Sequence, residues 1–331
     1  MENNAQYNHQ QDSDVIPDSN SCILCGDISY ALQISENTVF GKPYDTAFCE
    51  NCELYYFMKQ PTESFLNNYY EHEYFSSIRK SRMLYRLKSI FSAMRAFSQF
   101  LYIQKFTGGI EGKRILELGS ADGTFLSFFK TSGWEIRGLE TNEYMIRKAR
   151  EKFGIVLEGG HITDIDPRNE RYDIIALPHV IEHMPNPVEI LSHCKNLLAE
   201  SGILFIEVPY SPLPGETSPA ELSEYLETTH LFNFRLSSLT KLVSKSGLEK
   251  ISLDRFFYPV PGLFQKSSEF VGKTLMTGNL PGLNPFLTIP IMATALRMYS
   301  RYISKSDPLN RISLDSHWKG LGDSIRIVAG E

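Results

Sequence analysis

The chain has 331 residues, of which 42% are hydrophobic and 22% are charged, and its formal net charge is −6. This composition is typical of a globular protein with one large core and a smaller module. The first 20 residues contain four acids and no Lys or Arg, so the rest of the chain is nearly neutral. A near-neutral body lacks the positive surface that binds a phosphate backbone, which argues against a nucleic-acid partner.

Residues 1–20 are polar and contain no apolar stretch of the kind found in signal peptides. This composition predicts a disordered tail. The longest uncharged run, residues 274–296, contains three Pro and two Gly. A helix that crosses a bilayer would have to accommodate all of them. We therefore expect no membrane span, and we expect the protein to be cytoplasmic.

Four of the five cysteines fall within residues 21–60, as two C-x-x-C pairs with 23 residues between them. This spacing can bring four thiolates together in the tetrahedral geometry that suits Zn²⁺. A segment of about 40 residues builds little core of its own, so the metal would supply much of its folding energy. We predict a structural zinc ribbon, with disulfides as the alternative. The predicted ligands are Cys22, Cys25, Cys49 and Cys52.

A helical linker is predicted over residues 61–108. It begins with an aromatic stretch and continues as a helical pattern of apolar residues at about 79–106. Gly108 and Gly109 then mark the entry to a second domain, which we place at residues 109–331.

The second domain opens with the segment RILELGSADGTFL at residues 114–126. It predicts a buried strand that turns through glycines into a helix, which brings bare backbone N–H groups and a positive helix end close to a ligand. A dinucleotide fingerprint would need glycines at positions 121 and 124, where the chain has Ala121 and Thr124. What remains is the pattern E-x-G-x-x-x-G, which starts at Glu117.

Further strands follow the glycine turn. Residues 135–140 end in Glu140, about twenty residues after the turn, where a carboxylate can accept hydrogen bonds from both hydroxyls of a ribose. Residues 172–177 form another strand and lead into the sequence HVIEHMPNP at 179–187. The next strand is at 202–209. Because helical patterns alternate with these strands, we predict parallel βαβ units.

Residues 248–253 and 324–329 are predicted to be the last two strands. The insertion between them, at about 256–320, is rich in Phe, Pro, Leu and Met. Loops of this length are usually functional. We interpret it first as a lid or pocket wall, next as a dimer surface, and last as a membrane-surface contact.

The glycine turn, the acid at Glu140 and the segment HVIEHMPNP together resemble the motifs of class I S-adenosylmethionine-dependent methyltransferases. The resemblance implies a doubly wound, seven-stranded, Rossmann-like α/β sheet with a final antiparallel hairpin, and adenosylmethionine as cofactor. It also favours zinc over disulfides, because this chemistry is cytosolic. Cofactor contacts are then expected at Glu117, Gly119, Ser120, Ala121, Gly123, Glu140, Asp164, Leu177, Pro178 and His179. On spacing alone, His161, Ile162 and Asp166 are placed as well as Asp164.

The catalytic candidates are His230, His183 and Glu182. Histidine titrates near neutral pH and can accept a proton during the reaction. The pair Glu182-His183 is similar to one in quinone-type O-methyltransferases, where such residues hold a metal near the acceptor. In that pattern another acid stands at the position of His179. Histidines that are hydrogen-bonded or packed for structure alone are the alternative.

The cysteine ribbon together with the segment around His230 resembles the deoxysugar C-methyltransferases, which act on nucleotide-linked keto-sugars. There a Tyr-x-Glu-His sequence supplies the catalytic histidine, whereas this chain has Glu227 and Thr229 in place of the Tyr and the Glu. The resemblances together imply a methyltransferase acting on an oxygen or carbon of a small molecule, such as a saccharide or nucleotide-sugar. An RNA or protein methyltransferase that uses the ribbon for recognition is one alternative, and a non-catalytic interaction protein with this fold is another. We expect a monomer or a homodimer.

Overall fold

The computed structural model describes residues 15–16, 21–28, 30–39, 42–72, 82–107, 113–226, 229–257 and 323–330. The predicted tail lies outside the described residues except for positions 15–16, and the predicted insertion lies outside them after residue 257. Within the described ranges, no helix has both the length and the apolar character that crossing a membrane requires.

The strands of the described chain are β1 (Val15–Ile16), β2 (Ala31–Val39), β3 (Lys42–Cys49), β4 (Leu54–Phe57), β5 (Gln60–Pro61), β6 (Arg114–Leu118), β7 (Glu135–Leu139), β8 (Tyr172–Pro178), β9 (Leu198–Pro209), β10 (Phe232–Asn233), β11 (Glu249–Phe257) and β12 (Asp323–Gly330). The helices are α1 (Glu63–His72), α2 (Arg82–Ile103), α3 (Thr124–Thr131), α4 (Glu143–Phe153), α5 (Pro187–Leu197), α6 (Pro219–Leu226) and α7 (Leu236–Lys245). Short 3-10 turns lie at Ile162–Asp164 and Ile181–His183.

The cysteine segment forms a four-stranded antiparallel sheet in the order β10-β4-β3-β2. Three of its strands are consecutive in the chain, but β10 comes from the second domain and pairs with β4. The small strands β1 and β5 pair with each other. The predicted ribbon is therefore joined to the larger domain by backbone hydrogen bonds.

The predicted linker contains two helices. α1 lies within the predicted helical linker but ahead of the helical pattern assigned there, whereas α2 corresponds to that pattern at 79–106. α2 buries Phe100 and Ile103 in a core that it shares with α3 and the central sheet. The rings of Phe100 and Phe129 meet edge to face, with their centroids 5.0 Å apart. α2 thus covers one face of the sheet in addition to connecting two parts of the chain.

The central sheet has six strands in the order β11-β12-β9-β8-β6-β7. β7, β6, β8 and β9 are parallel, and β12 lies antiparallel between β9 and β11, which confirms the final hairpin. The prediction of seven strands is wrong for the described chain, since the third strand is reduced to one bridge between Leu139 and Glu158. Gly159 and Gly160 follow at once, and Gly160 has a φ of 135°. The backbone turns away there after a single paired residue.

Successive residues of the parallel strands face opposite helical layers. Ile115 and Ile174 belong to the core shared with α2, α3 and α4, whereas Leu116 and Ile175 belong to the core shared with α5 and α7. Burial on both faces explains why these strands are continuous apolar runs. Each buried Ile or Leu contributes about 1.5–3 kcal/mol to folding. The doubly wound α/β fold is thereby confirmed, with a mixed sheet.

Candidate active site

The turn after β6 lies at the carboxyl edge of the central sheet. Gly119 has a φ of 64°, and a Cβ at this position would lie 2.6 Å from Val180 Cγ2, so the turn requires glycine. Gly123, with a φ of 72°, directly precedes α3. Ala121 has a φ of 44° although it is not glycine. Strain of this kind is concentrated at functional sites, and here it lies where a ligand would meet the start of α3.

Glu140 lies at the end of β7, against the glycine turn. Its Oε2 accepts a hydrogen bond from the Ala121 N–H at 2.8 Å, and its Oε1 accepts one from the Asn142 N–H at 2.8 Å. Burial raises the pKa of Glu140, against the opposing effect of these backbone hydrogen bonds. The predicted acid is thus next to the predicted turn, and its contact with a ribose stays a prediction.

Glu117 is buried at the end of β6, and its Oε2 has no hydrogen-bond partner in the described chain. Burial raises the pKa of this carboxyl well above its ordinary value, against the smaller effect of the Ser120 hydroxyl. A buried carboxyl oxygen without a partner is costly. A positively charged group of a ligand in the crevice would satisfy it. Glu117 therefore fits the amino group of adenosylmethionine.

The other predicted cofactor residues differ in their surroundings. Ser120 is buried, and its N–H donates a hydrogen bond to the Leu139 carbonyl at 3.0 Å, which fixes the turn against β7. Asp164 is exposed, and its Oδ2 accepts a hydrogen bond from the His161 N–H at 2.9 Å. The Asp164 carboxylate is therefore bonded to the backbone of the 3-10 turn in which it lies. Leu177 is fully buried in the core near the end of β8, and Pro178 is the last residue of that strand.

The three predicted catalytic residues come together. Glu182 and His183 lie in the 3-10 turn after β8, and His230 lies two residues before β10. The rings of His183 and His230 meet edge to face, with centroids 4.8 Å apart. One oxygen of Glu182 and one nitrogen of each histidine lie within 4.8 Å of one another. Such a group can move a proton, and its donor atoms also suit a divalent cation.

His183 is oriented by contacts that the sequence did not predict. Its Nδ1 lies 2.8 Å from the Tyr70 hydroxyl and 3.1 Å from the Thr229 carbonyl oxygen. A carbonyl can only accept, so Nδ1 carries the hydrogen and Nε2 keeps its lone pair. The backbone carbonyl of Tyr70 accepts a hydrogen bond from Asn142 Nδ2 at 2.9 Å, which docks α1 at the site. The aromatic stretch around Tyr70 was the only signal of this role.

The electrostatics of the cluster favour neutral histidines beside an ionised acid. Burial lowers the pKa of His183, against the charge of Glu182. Burial and the neighbouring His183 lower the pKa of His230 to about 4. Burial disfavours the Glu182 carboxylate, but the nearby His179, whose Nδ1 lies 3.6 Å from Glu182 Oε1, outweighs it and lowers the pKa of Glu182.

His179, with a φ of 57°, lies between two buried carboxylates. Its Nε2 is 3.0 Å from Glu207 Oε1, and its Nδ1 is 3.6 Å from Glu182 Oε1. Burial and the charge of Arg95 oppose protonation, but the two carboxylates outweigh them and raise the pKa of His179. Behind Glu207, Arg326 Nε donates to Oε2 at 2.5 Å, and both side chains are fully buried. In the sequence, the pair of Glu207 and Arg326 was visible only as one charged residue within each of two apolar strands.

The four cysteines of the ribbon meet as predicted. Their sulfur atoms lie within 4.8 Å of one another, and Cys25 Sγ is 3.6 Å from Cys49 Sγ. All four are free thiols. This donor set fits a closed tetrahedral zinc site. Lys241 of α7 lies near the Cys52 thiol, where its positive charge would offset the net negative charge of a four-thiolate zinc centre.

Known proteins resemble this chain in sequence and in fold. The ubiquinone biosynthesis O-methyltransferase of Glaesserella parasuis serovar 5 (strain SH0165) is 31% identical over 115 residues, which are 32% of this chain and 49% of that protein. That of Actinobacillus pleuropneumoniae serotype 7 (strain AP76) is 30% identical over 114 residues, which are 31% and 49% of the two chains. The chain thus spans about half the length of the curated relatives it matches.

A solved structure supports the fold. Haemonchus contortus phosphoethanolamine N-methyltransferase 2, in complex with phosphomonomethylethanolamine and S-adenosylhomocysteine, aligns with a TM-score of 0.50 and 12% identity, over 83% of this chain and 62% of that one. At this identity the similarity concerns the fold alone. A family model described as a methyltransferase domain matches residues 70–253, which include the glycine turn, Glu140 and the histidine cluster. More than half of the chain lies within this match, and the chain therefore belongs to the methyltransferase domain family.

Proposed function

We propose that this protein transfers a methyl group from S-adenosylmethionine to an oxygen or carbon atom of a small molecule, with a saccharide or nucleotide-sugar as the acceptor. The observation that carries the proposal is the pair of histidines that meet beside Glu182 at the same sheet edge as the glycine turn. The name of the curated relatives, O-methyltransferase, supports an oxygen acceptor. The ribbon next to His230 supports the saccharide, through the resemblance to deoxysugar methyltransferases.

The cofactor side would bind adenosylmethionine through the glycine turn and two acids. The turn from Gly119 to Gly123 leads into α3, whose N-terminus carries a partial positive charge. Glu117 would neutralise the amino group, and Glu140 would accept hydrogen bonds from the ribose hydroxyls. When bound, the cofactor supplies an activated methyl group on a sulfonium, which is a good leaving group. The protein's contribution is then alignment, exclusion of water and removal of the acceptor's proton.

His230 is the proposed base. The low pKa of its imidazole, about 4, keeps the ring neutral near pH 7, so that it can accept a proton. A weak base suits an acceptor whose O–H becomes acidic as the new O–C bond forms. A carbon next to a carbonyl would first lose its proton to the base, and the resulting enolate would attack the methyl group. His183 presents a lone pair on Nε2, and the Glu182 carboxylate would stabilise the positive charge that develops on either ring.

A transfer assay with methyl-labelled adenosylmethionine tests the proposal. The full chain would be incubated with a panel of nucleotide-linked keto-sugars and with a panel of phenolic compounds. Label on a nucleotide-sugar is the expected result. Label on phenols alone would refute the saccharide acceptor and keep the methyltransferase. Tight binding of S-adenosylhomocysteine without transfer to any acceptor would instead favour a non-catalytic role.

A further inference from the structure

We propose that the cysteine ribbon is the frame that positions His230. The ribbon sheet that the cysteines anchor carries the segment after this histidine as its edge strand, and metal in the ribbon would therefore control the acceptor side of the site from a distance. The inference rests on the proposed function, in which His230 accepts the proton. It assigns the ribbon a positioning role and argues against a separate recognition module.

The backbone after His230 is held from two sides. On one side, β10 pairs with β4 of the ribbon, and the Phe57 N–H donates to the Leu231 carbonyl at 3.1 Å. On the other side, the Leu231 N–H donates to the Glu182 carbonyl at 2.8 Å. Leu231, the residue next to His230, thus links the ribbon to the catalytic turn. A shift of β4 would move His230 relative to Glu182.

The position of β4 depends in turn on the cysteines. Cys49 is the last residue of β3 and pairs with Leu54, the first residue of β4. Cys52 lies in the turn between them, so two of the four sulfur ligands lie in the short segment that leads into β4. A zinc ion bound to both would fix this turn covalently, because its ligand bonds are short and tetrahedral. Loss of the metal leaves four buried or half-buried thiols that cannot replace those bonds.

A second joint connects the ribbon to the start of α7. Glu53 follows Cys52 directly and has a φ of 54°. Its carboxylate accepts hydrogen bonds from Arg235 Nε, at 3.3 Å, and from the Ser237 hydroxyl. Arg235 and Ser237 lie just beyond β10, so the ribbon holds the His230 segment at both β10 and the residues after it.

The other end of α7 is joined to the first cysteine pair. Lys245 Nζ donates to the carbonyls of Ile23 and Leu24 at 3.0 and 3.1 Å. Both residues lie between Cys22 and Cys25, so this lysine holds the loop that carries two of the ligands. The hydrophobic core is likewise continuous from the ribbon into α7. Ribbon, β10 and α7 therefore form one packed unit behind His230.

The matched variants Glu53→Ala and Glu50→Ala test the proposal in the full chain. Both remove one acid from the second cysteine loop, but Glu50 is exposed and makes no hydrogen bond or ion pair within the described chain. In Glu53→Ala we expect the imidazole NMR signal of His230 to shift and turnover to fall by about 10- to 100-fold, as for a displaced catalytic group. Affinity for S-adenosylhomocysteine, measured by calorimetry, should stay close to that of the wild type. Glu50→Ala should match the wild type in all three measurements.

Stepwise removal of zinc with a chelator gives a second measurement. The His230 signal should change in proportion to the zinc released, as followed with a colorimetric dye. If the chain unfolds without zinc, the Glu53→Ala comparison still decides. Identical His230 signals and turnover in the two alanine variants would overturn the proposal. Full turnover in His230→Ala would instead refute His230 as the base, and the NMR shift in Glu53→Ala would remain readable.

Discussion

The proposed cofactor side and the proposed acceptor side of this site are built in different ways. The glycines and both acids of the proposed cofactor side lie within residues 117–140, on one strand, one turn, one helix and a second strand. The acceptor side joins Tyr70, His183 and His230 from separate segments, and the first two are 113 positions apart in the chain. It also depends on the ribbon through β10.

Because of this difference, we expect changes on the two sides to alter different quantities. Changes on the cofactor side act on a local turn and should alter cofactor affinity. Changes on the acceptor side alter a geometry that the whole fold maintains, and should alter turnover. The following variants test that division, from the largest expected effect to the smallest.

His230→Ala should lower turnover by about 10²- to 10⁴-fold, the usual contribution of a general base. Affinity for S-adenosylhomocysteine should be nearly unchanged, because the cofactor side is built without this residue. Steady-state kinetics and calorimetry measure the two quantities. His193→Ala is the control and should leave turnover intact, since His193 lies on α5 and its Nε2 is 3.0 Å from the Ile165 carbonyl oxygen. A loss of cofactor affinity in His230→Ala would break the division.

Glu140→Ala should weaken S-adenosylhomocysteine binding by about 10- to 100-fold, since hydrogen bonds to a charged group are each worth about 1.5–3 kcal/mol. Turnover at saturating cofactor should change much less. Calorimetry and kinetics at high cofactor concentration separate the two effects. Glu135→Ala, at the exposed start of the same strand, is the matched control. Unchanged cofactor binding in Glu140→Ala would contradict the assignment.

Gly119→Ala should lower the free energy of unfolding more than Gly133→Ala does. Both glycines have positive φ, which costs an alanine about 1–2 kcal/mol. At position 119 the new Cβ also meets Val180 Cγ2 at 2.6 Å, whereas at 133 it meets nothing within 4 Å. Chemical denaturation measures the difference between the two variants. Equal losses would show that the turn is loosely packed.

Tyr70→Phe should lower turnover by about 2- to 10-fold, since a single hydrogen bond contributes about 0.5–1.5 kcal/mol. The variant removes the hydroxyl at 2.8 Å from His183 Nδ1 and keeps the backbone contact with Asn142 that docks α1. Kinetics in parallel with calorimetry would show turnover reduced and cofactor affinity retained. Wild-type turnover would mean that Thr229 alone orients His183.

Acidification should destabilise the protein through His230. In the unfolded chain this side chain takes a proton near its ordinary pKa of 6.5, whereas in the folded chain burial lowers the pKa to about 4. The stabilisation is therefore complete above pH 6.5 and is lost as the pH falls towards 4. Other groups titrate in this range, so the test is the difference in unfolding free energy between the wild type and His230→Ala. A difference independent of pH would contradict the lowered pKa.

Local sequence predicted the arrangement of the cofactor side because its parts are adjacent in the chain. The turn after Glu117 and the acid at Glu140 were found by their spacing, and the cysteine cluster was found in the same way. The pairing of Glu207 with Arg326, 119 positions apart, was missed because each is only an odd charge in an apolar strand. The register of β9 against β12 places them opposite one another. Tyr70 was missed because the prediction of a helical linker assigned no helical pattern to the residues of α1.

The sheet order has a consequence for how the chain folds. β12 lies between β9 and β11, yet β11 ends at Phe257 and β12 begins at Asp323. As the chain leaves the ribosome, β11 therefore waits for β12, its neighbour in the described part of the sheet, until the intervening segment has been synthesised. Pairing across such a distance is slow. Since β12 also brings Arg326 to Glu207 and so to His179, the support behind the histidine cluster depends on this distant pairing.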